Sequence, residues 1–101
     1  MKLRYTPAAI ADLEEIKSYI ADTLLTPDAA ANLMASIAAA CALLKDQPSL
    51  GPELRHKLHR EIDERFLIHK KYMIVYEVTD TVSILRVLDT RTDYLNVLLH
   101  E

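Results

Sequence analysis

The sequence predicts an α+β domain in which a helical hairpin packs on one face of a twisted antiparallel β-sheet, followed by a short C-terminal helix. Three observations predict it. Two alanine- and leucine-rich stretches are each introduced by a Thr-Pro pair, Thr6-Pro7 and Thr26-Pro27. One break follows, at Pro48, Gly51 and Pro52. Beyond it, apolar runs alternate with tight polar turns, as in KKYMIVYEVTDTVSILRVLD (70–89).

Each element has a physical warrant. Lys2 to Tyr5 is a short strand that stops at Thr6-Pro7, where threonine suits the cap and proline the first helical position. Ala9, Leu13, Ile16 and Ile20 then recur at spacings of four, three and four, with Asp12, Glu15 and Asp22 on other faces, so a helix over about 7–23 is expected. The same opening at Thr26-Pro27-Asp28 starts a second helix, with Asp28 complementing its dipole. Leu33, Ile37, Cys41 and Leu44 form its apolar stripe, and its many alanines let another backbone approach closely. A connection of a few residues makes the two an antiparallel pair. Gly51, the chain's single glycine, lies in the following break.

After the break, 54–64 reads as a charged loop with a short strand near Leu54 to Leu58. Arg65 to His69, Tyr72 to Thr79 and Val82 to Asp89 then read as a three-stranded meander, with Lys70-Lys71 as the first turn. In the middle strand Tyr72, Ile74, Tyr76 and Val78 share one face, and Met73, Val75, Glu77 and Thr79 the other. Both faces are largely apolar, as a strand covered on both sides requires. With only Thr92 to Leu99 left to cover the second face, an exposed apolar groove is expected there.

Composition narrows the function classes. At 101 residues, 50% hydrophobic and 27% charged, the chain is expected to be one globular domain spanning 1–101. No apolar run approaches the roughly 18 residues of a membrane span, so a cytoplasmic protein without membrane partners is expected. A lone cysteine forms no internal disulfide, and Cys41 on a helical stripe reads as a small buried hydrophobe. The formal charge of −3 is unevenly spread: 55–91 carries +2 and the remainder −5. The asymmetry points to a partner on the strand half. His56 and His59 have an i, i+3 spacing that Glu61 or Asp63 extends toward a metal site, but there is no second ligand pair, and neither metal nor cofactor is expected.

The order of a short strand, a helical hairpin and a meander resembles the RelE/ParE superfamily of toxins from bacterial type II toxin-antitoxin pairs. TPAAIADLEEIKSYIA (6–21) resembles that family's first helix and PSLG (48–51) its post-helix break. ILRVLDTRTD (84–93) is the most specific stretch: Arg86, Arg91 and Asp93 match, while Asp89 stands where the family usually has histidine. The resemblance implies a toxin neutralised by a cognate antitoxin, a small DNA-binding protein with an amphipathic C-terminal tail. YMIVYEV and ILRVLDTRTD resemble the ParE branch more closely, which implies inhibition of DNA gyrase through protein contacts. RelE-type relatives instead cut messenger RNA on the ribosome. Here Met73 follows Tyr72 where those nucleases carry arginine, and Val97 lies near where their tyrosine falls, so a nuclease would draw on Arg65, His69, Arg91 and Tyr94. A third possibility is a degenerate toxin that only binds antitoxin.

The residues expected to contact the target are Arg86, Arg91, Asp93 and Tyr94. Each has a plainer alternative. Arg86 equally suits a strand residue that packs its stem on apolar neighbours while its guanidinium pairs with Asp93 or Glu77. Arg91 and Asp93 suit a surface ion pair. The basic run 55–60 suits a solvated loop.

Overall fold

The structure, a computed structural model, describes residues 1–54 and 63–99, and for Tyr94, Leu95 and Leu99 the backbone only. Strand β1 (Lys2–Tyr5) leads into helix α1 (Pro7–Ser18), a π-helical turn (Tyr19–Thr23) and helix α2 (Pro27–Asp46). Strands β2 (Arg65–His69), β3 (Tyr72–Val78) and β4 (Thr81–Asp89) and helix α3 (Tyr94–Leu99) follow among the described residues. The sheet order is β1-β4-β3-β2. The meander is antiparallel as expected, and β1 is added beside β4 in parallel, Tyr5 opposite Ile84.

Thr6 ends β1 and begins α1 with one side chain. Its hydroxyl accepts from the Ala9 N–H at 3.1 Å and donates to the Leu85 carbonyl at 2.9 Å, while its own N–H donates to the Ile84 carbonyl. Thr26 behaves differently from the expectation. Its hydroxyl donates back to the Ile20 carbonyl at 3.1 Å instead of capping α2. The first helix reaches residue 23 as expected, but not as α-helix throughout. It widens after Ser18 into a π turn, with the Leu24 N–H reaching the Tyr19 carbonyl at 3.2 Å, and Leu25 reverses the chain at φ 54°.

The expected stripes fill the helix side of the sheet. Ala9, Ile37, Cys41 and Leu44 are buried against Tyr72, Ile74, Tyr76, Val82, Ile84 and Val87, with Leu13, Ile16 and Leu33 packed around them. Ile84 and Val87 both enter this layer although three residues apart, because β4 carries a bulge: Val75 pairs with Arg86 and Tyr76 with Ile84, leaving Leu85 as the extra residue. Contrary to the expectation of short apolar runs, α2 reaches the length and mean hydropathy (1.4) of a membrane span. Eight alanines contribute to that value alongside the leucines and Ile37, and the helix's large buried side chains, Ile37 and Leu44, are packed on the sheet.

The second sheet face is closed, which corrects the expectation of an open groove there. Met73 and Val75 are buried under Leu54 from the break after α2, with Phe66, Leu85 and Leu98 of α3 around them. Most of the exposed large apolar side chains lie in the helical hairpin, among them Ile10, Tyr19, Leu24, Leu25 and Leu43, while Ile68 on β2, opposite Met73, stays exposed at the margin of this face. The break reaches this position by pairing along β2, through Leu54 N–H to Glu64 O at 2.8 Å and Phe66 N–H to Pro52 O at 3.1 Å. The rest of the expected strand, beyond Leu54, lies outside the described residues.

Gly51 fixes this crossing. The fully buried Tyr76 hydroxyl accepts from the Gly51 N–H at 2.9 Å and donates to the Pro48 carbonyl at 2.8 Å, and Arg65 Nη1 donates to the Gly51 carbonyl at 2.8 Å. A β-carbon on residue 51 would fall on the Phe66 carbonyl oxygen and 2.7 Å from the Tyr76 hydroxyl. Backbone cannot yield as a side chain tip can. Gly51→Ala is expected to lower stability by about 2–3 kcal/mol in urea unfolding, and Tyr76→Phe by about 1–3 kcal/mol through the donor and acceptor it orphans.

Candidate functional site

Where β1 stops, the outer edge of β4 loses its neighbouring strand, and α1 takes over. Asp12 Oδ2 accepts the Val87 N–H at 2.9 Å, so a carboxylate replaces a ladder partner. A half-buried carboxylate requires a countercharge, and Arg86 supplies it in two bonds: Nε to Oδ2 at 2.7 Å and Nη2 to Oδ1 at 2.9 Å. The bond to Asp12 raises the Arg86 pKa above its ordinary value against the opposing effect of burial. Arg86 thus pairs across the fold with Asp12. The expectation of a pair with Asp93 or Glu77 is corrected, because the nearest acceptor belongs to a helix 74 residues away.

This junction forms part of a cleft of about 330 Å³. Asp12, Glu15, Ile16 and Tyr19, at helical spacings of i, i+3, i+4 and i+7, make one wall; Arg86, Leu88 and Asp89 of β4 face them; Lys71, Tyr72, Arg91 and Val97 close the end. The π turn begins at Tyr19, which leaves that ring exposed at the rim. Lys71 Nζ stands 5.8 Å from the Tyr72 ring centre, within cation–π range.

Asp89 and Arg91 form a local clasp after the last strand. Asp89 Oδ1 accepts from the Arg91 backbone N–H at 2.8 Å and from Nε at 3.1 Å, and Oδ2 accepts from Nη2 at 2.9 Å. The Arg91 side chain is nevertheless 76% exposed. Its bonds, side chain first and backbone second, hold the Asp89 pKa down from 3.8 to about 2. Tyr72 is pushed above its ordinary value, first by burial and then by the Asp89 charge, with Arg91 opposing.

The expected residues separate into groups. Arg86 and Arg91 share the cleft. Asp93 does not pair with Arg91, whose carboxylate is Asp89; it caps α3 by accepting the Asn96 N–H at 3.3 Å. The Tyr94 side chain lies outside the described residues, as do His56, His59 and the basic run 55–60. His69 stands beside Tyr72 at the cleft end of the sheet, but its ring meets Ser36 Oγ on α2 at 3.0 Å. Arg65 is opposite Tyr76, four residues or roughly 13 Å along the strands from His69. It holds the Gly51 carbonyl and lies 3.9 Å from Glu53. Sequence reasoning missed Asp12, Glu15, Tyr19 and Lys71 as cleft residues. The polar stripe Asp12–Glu15–Tyr19 beside an apolar one was the available signal.

The family described as "ParE toxin of type II toxin-antitoxin system, parDE" matches residues 3–94, which include both walls of the cleft up to Arg91 and the cap Asp93. The chain belongs to the ParE toxin family. A relative in Sinorhizobium fredii (strain NBRC 101917 / NGR234), named "Putative toxin Y4kP", is 34% identical over 97 residues, covering 96% of each chain. The fold is also that of two solved structures. The Pseudomonas aeruginosa chromosomal ParDE toxin-antitoxin system matches at a TM-score of 0.73 and 22% identity, over 88% of this chain and 95% of the other. The Mycobacterium tuberculosis toxin-antitoxin complex RelBE2 matches at 0.56 and 24%, over 87% and 88%. This ParE-family protein is therefore a toxin of the type II class.

Two measurements check the cleft of this ParE-family toxin. Asp12→Ala is expected to cost about 3 kcal/mol in denaturant unfolding, since it leaves Arg86 without its carboxylate and the Val87 N–H without an acceptor. The Asp89 shift has a definite sign. A carboxylate depressed on folding stabilises the fold above its ordinary value of 3.8, and that contribution disappears as pH falls toward about 2. In Arg91→Ala the Asp89 carboxyl should titrate higher by NMR, back toward 3.8, with the backbone N–H of residue 91 still holding part of the shift; an unmoved titration would locate the cause elsewhere.

Proposed function

We propose that this ParE-family toxin arrests growth by engaging DNA gyrase through protein contacts at the cleft between α1 and the end of β4, with Arg91 as the leading contact. The observation that carries the reading is the charge balance of that cleft. Three cations, Lys71, Arg86 and Arg91, meet three carboxylates, Asp12, Glu15 and Asp89. A surface built to hold an RNA backbone needs a cationic excess, whereas balanced, pre-paired charges with two tyrosines suit a protein interface.

The alternative, a ribosome-dependent messenger ribonuclease, needs a base, an acid and a charge stabiliser converging on one phosphate. Arg65 stands at the other end of the sheet from Arg91, and His69 is engaged with α2. Their separation favours the gyrase reading. Asp93 supports the site by fixing the start of α3, and Tyr94, the next residue in the chain, is kept as a further candidate contact.

The partner that silences the toxin is a cognate antitoxin, a small DNA-binding protein with an amphipathic C-terminal tail. The two solved structures compared above are described as a toxin-antitoxin system and a toxin-antitoxin complex. Such a tail has apolar anchors in Ile10 and Leu43 on the helices and Ile68 on β2.

Expression without antitoxin is expected to trap cleaved gyrase–DNA complexes and induce the SOS response. Cut ribosome-bound messages would establish the nuclease reading instead, and neither effect with antitoxin binding intact would mean a degenerate toxin. Arg91→Ala is expected to abolish most of the growth arrest while changing stability by under about 0.5 kcal/mol. If that variant arrests growth as the parent does, Arg91 is not the contact.

A further inference from the structure

Arg91 is a guanidinium only half engaged. Asp89 takes its Nε and Nη2, and among the described residues no bond is made to Nη1. Of its five N–H donors the outer edge, Nη1 with the second Nη2 hydrogen, remains free on an exposed side chain. The cleft whose end it closes is also lined by Lys71, Arg86, Asp12, Glu15, Asp89 and the two phenols Tyr19 and Tyr72. The outer edge is a fork for an oxyanion. Which oxyanion it accepts depends on the carboxylates already present, since each repels an incoming anion in proportion to its charge.

Building on the reading of Arg91 as the target contact, we propose that Asp89 is a specificity determinant. By filling one edge of Arg91 and cancelling its charge, it leaves a site that takes a singly charged carboxylate from a partner protein and disfavours phosphate. The other charges of the cleft balance, Lys71 and Arg86 against Asp12 and Glu15, so Asp89 decides the local field: a phosphate near neutral pH carries about −1.5 to −2 charges and meets up to twice the repulsion from Asp89 that a carboxylate meets. An isolated arginine has the opposite preference. The aspartate also orients the fork, so the carboxylate meets a guanidinium whose plane is already fixed by two bonds and the adjoining backbone.

The test titrates the full chain with acetate and, separately, with inorganic phosphate, following the Arg91 Nε resonance by NMR in the parent and in Asp89→Asn. The parent is expected to bind phosphate no more tightly than acetate. The Asp89→Asn variant should shift the phosphate-to-acetate preference toward phosphate by roughly fivefold, the effect of one nearby unit charge at water-like screening. The proposal is overturned if the parent prefers phosphate by more than about tenfold, if Asp89→Asn leaves the preference unchanged, or if neither anion moves the Arg91 signal. Growth arrest by Arg91→Ala reports on the target contact itself and is read separately, so failure of the contact and failure of the selectivity are told apart.

Discussion

The carboxylate of Asp12 holds the two halves of this fold in register. A sheet edge presents backbone groups that must find partners, and β1 is long enough to serve β4 only up to Ile84. Beyond that point the backbone of β4 is bonded by a hydroxyl and then a carboxylate from the chain entering α1: Thr6 takes the Leu85 carbonyl and Asp12 the Val87 N–H. The helix is thereby fixed in height and rotation against the strand. Removing Asp12 would release both, because Arg86, already drawn into the junction, would be left as a half-buried charge without its carboxylate.

The cleft follows from that rotation. With Asp12 turned onto the strand edge, Glu15 and Tyr19 come round at one and two turns further along and face the end of β4, while Leu13 and Ile16 still reach the core. The π turn then moves the chain off the helical path just after Tyr19, so the wall ends in an exposed aromatic ring. On the opposite side the bulge at Leu85 keeps Val87 in the helix-side core and gives Arg86 its route to Asp12. One carboxylate, one bulge and one widened turn together shape the surface that the toxin presents.

Local periodicity made most of the architecture legible in the sequence. The Thr6-Pro7 cap, the stripe Leu33–Ile37–Cys41–Leu44 and the alternation of Tyr72, Ile74 and Tyr76 depend on neighbours within a turn or a strand, and each lies where its pattern requires. The features that were not legible are non-local or break the period. Asp12 has the spacing of a solvent-facing acid, and nothing near it in sequence announces a partner 74 residues away. Strict alternation along β4 would set Arg86 on the face of Ile84, and only the bulge replaces it there with Val87. Thr26 has the same Thr-Pro context as Thr6, yet the widened turn before it offers the Ile20 carbonyl as a nearer acceptor. The closing of the second face was hidden for the same reason, since Leu54 reaches it by pairing with β2 from a stretch whose own pattern is irregular.

Arg86 and Arg91 show why residue type alone did not separate scaffold from site. Both are arginines in one apolar-to-polar stretch, both engage an aspartate through Nε and Nη2, and both line the same cleft. What differs is the aspartate's anchorage. Asp12 belongs to another element and also bonds the β4 backbone, so its pair with Arg86 joins helix to sheet and cannot be exchanged without loosening both. Asp89 is two residues from Arg91, and their clasp joins nothing distant, so its free-energy value to the fold is small. A half-buried pair that couples elements is constrained by folding. A solvent-facing pair that couples none is free to be shaped by what it meets, and the exposed edge of Arg91 is the part of the cleft where that freedom is greatest.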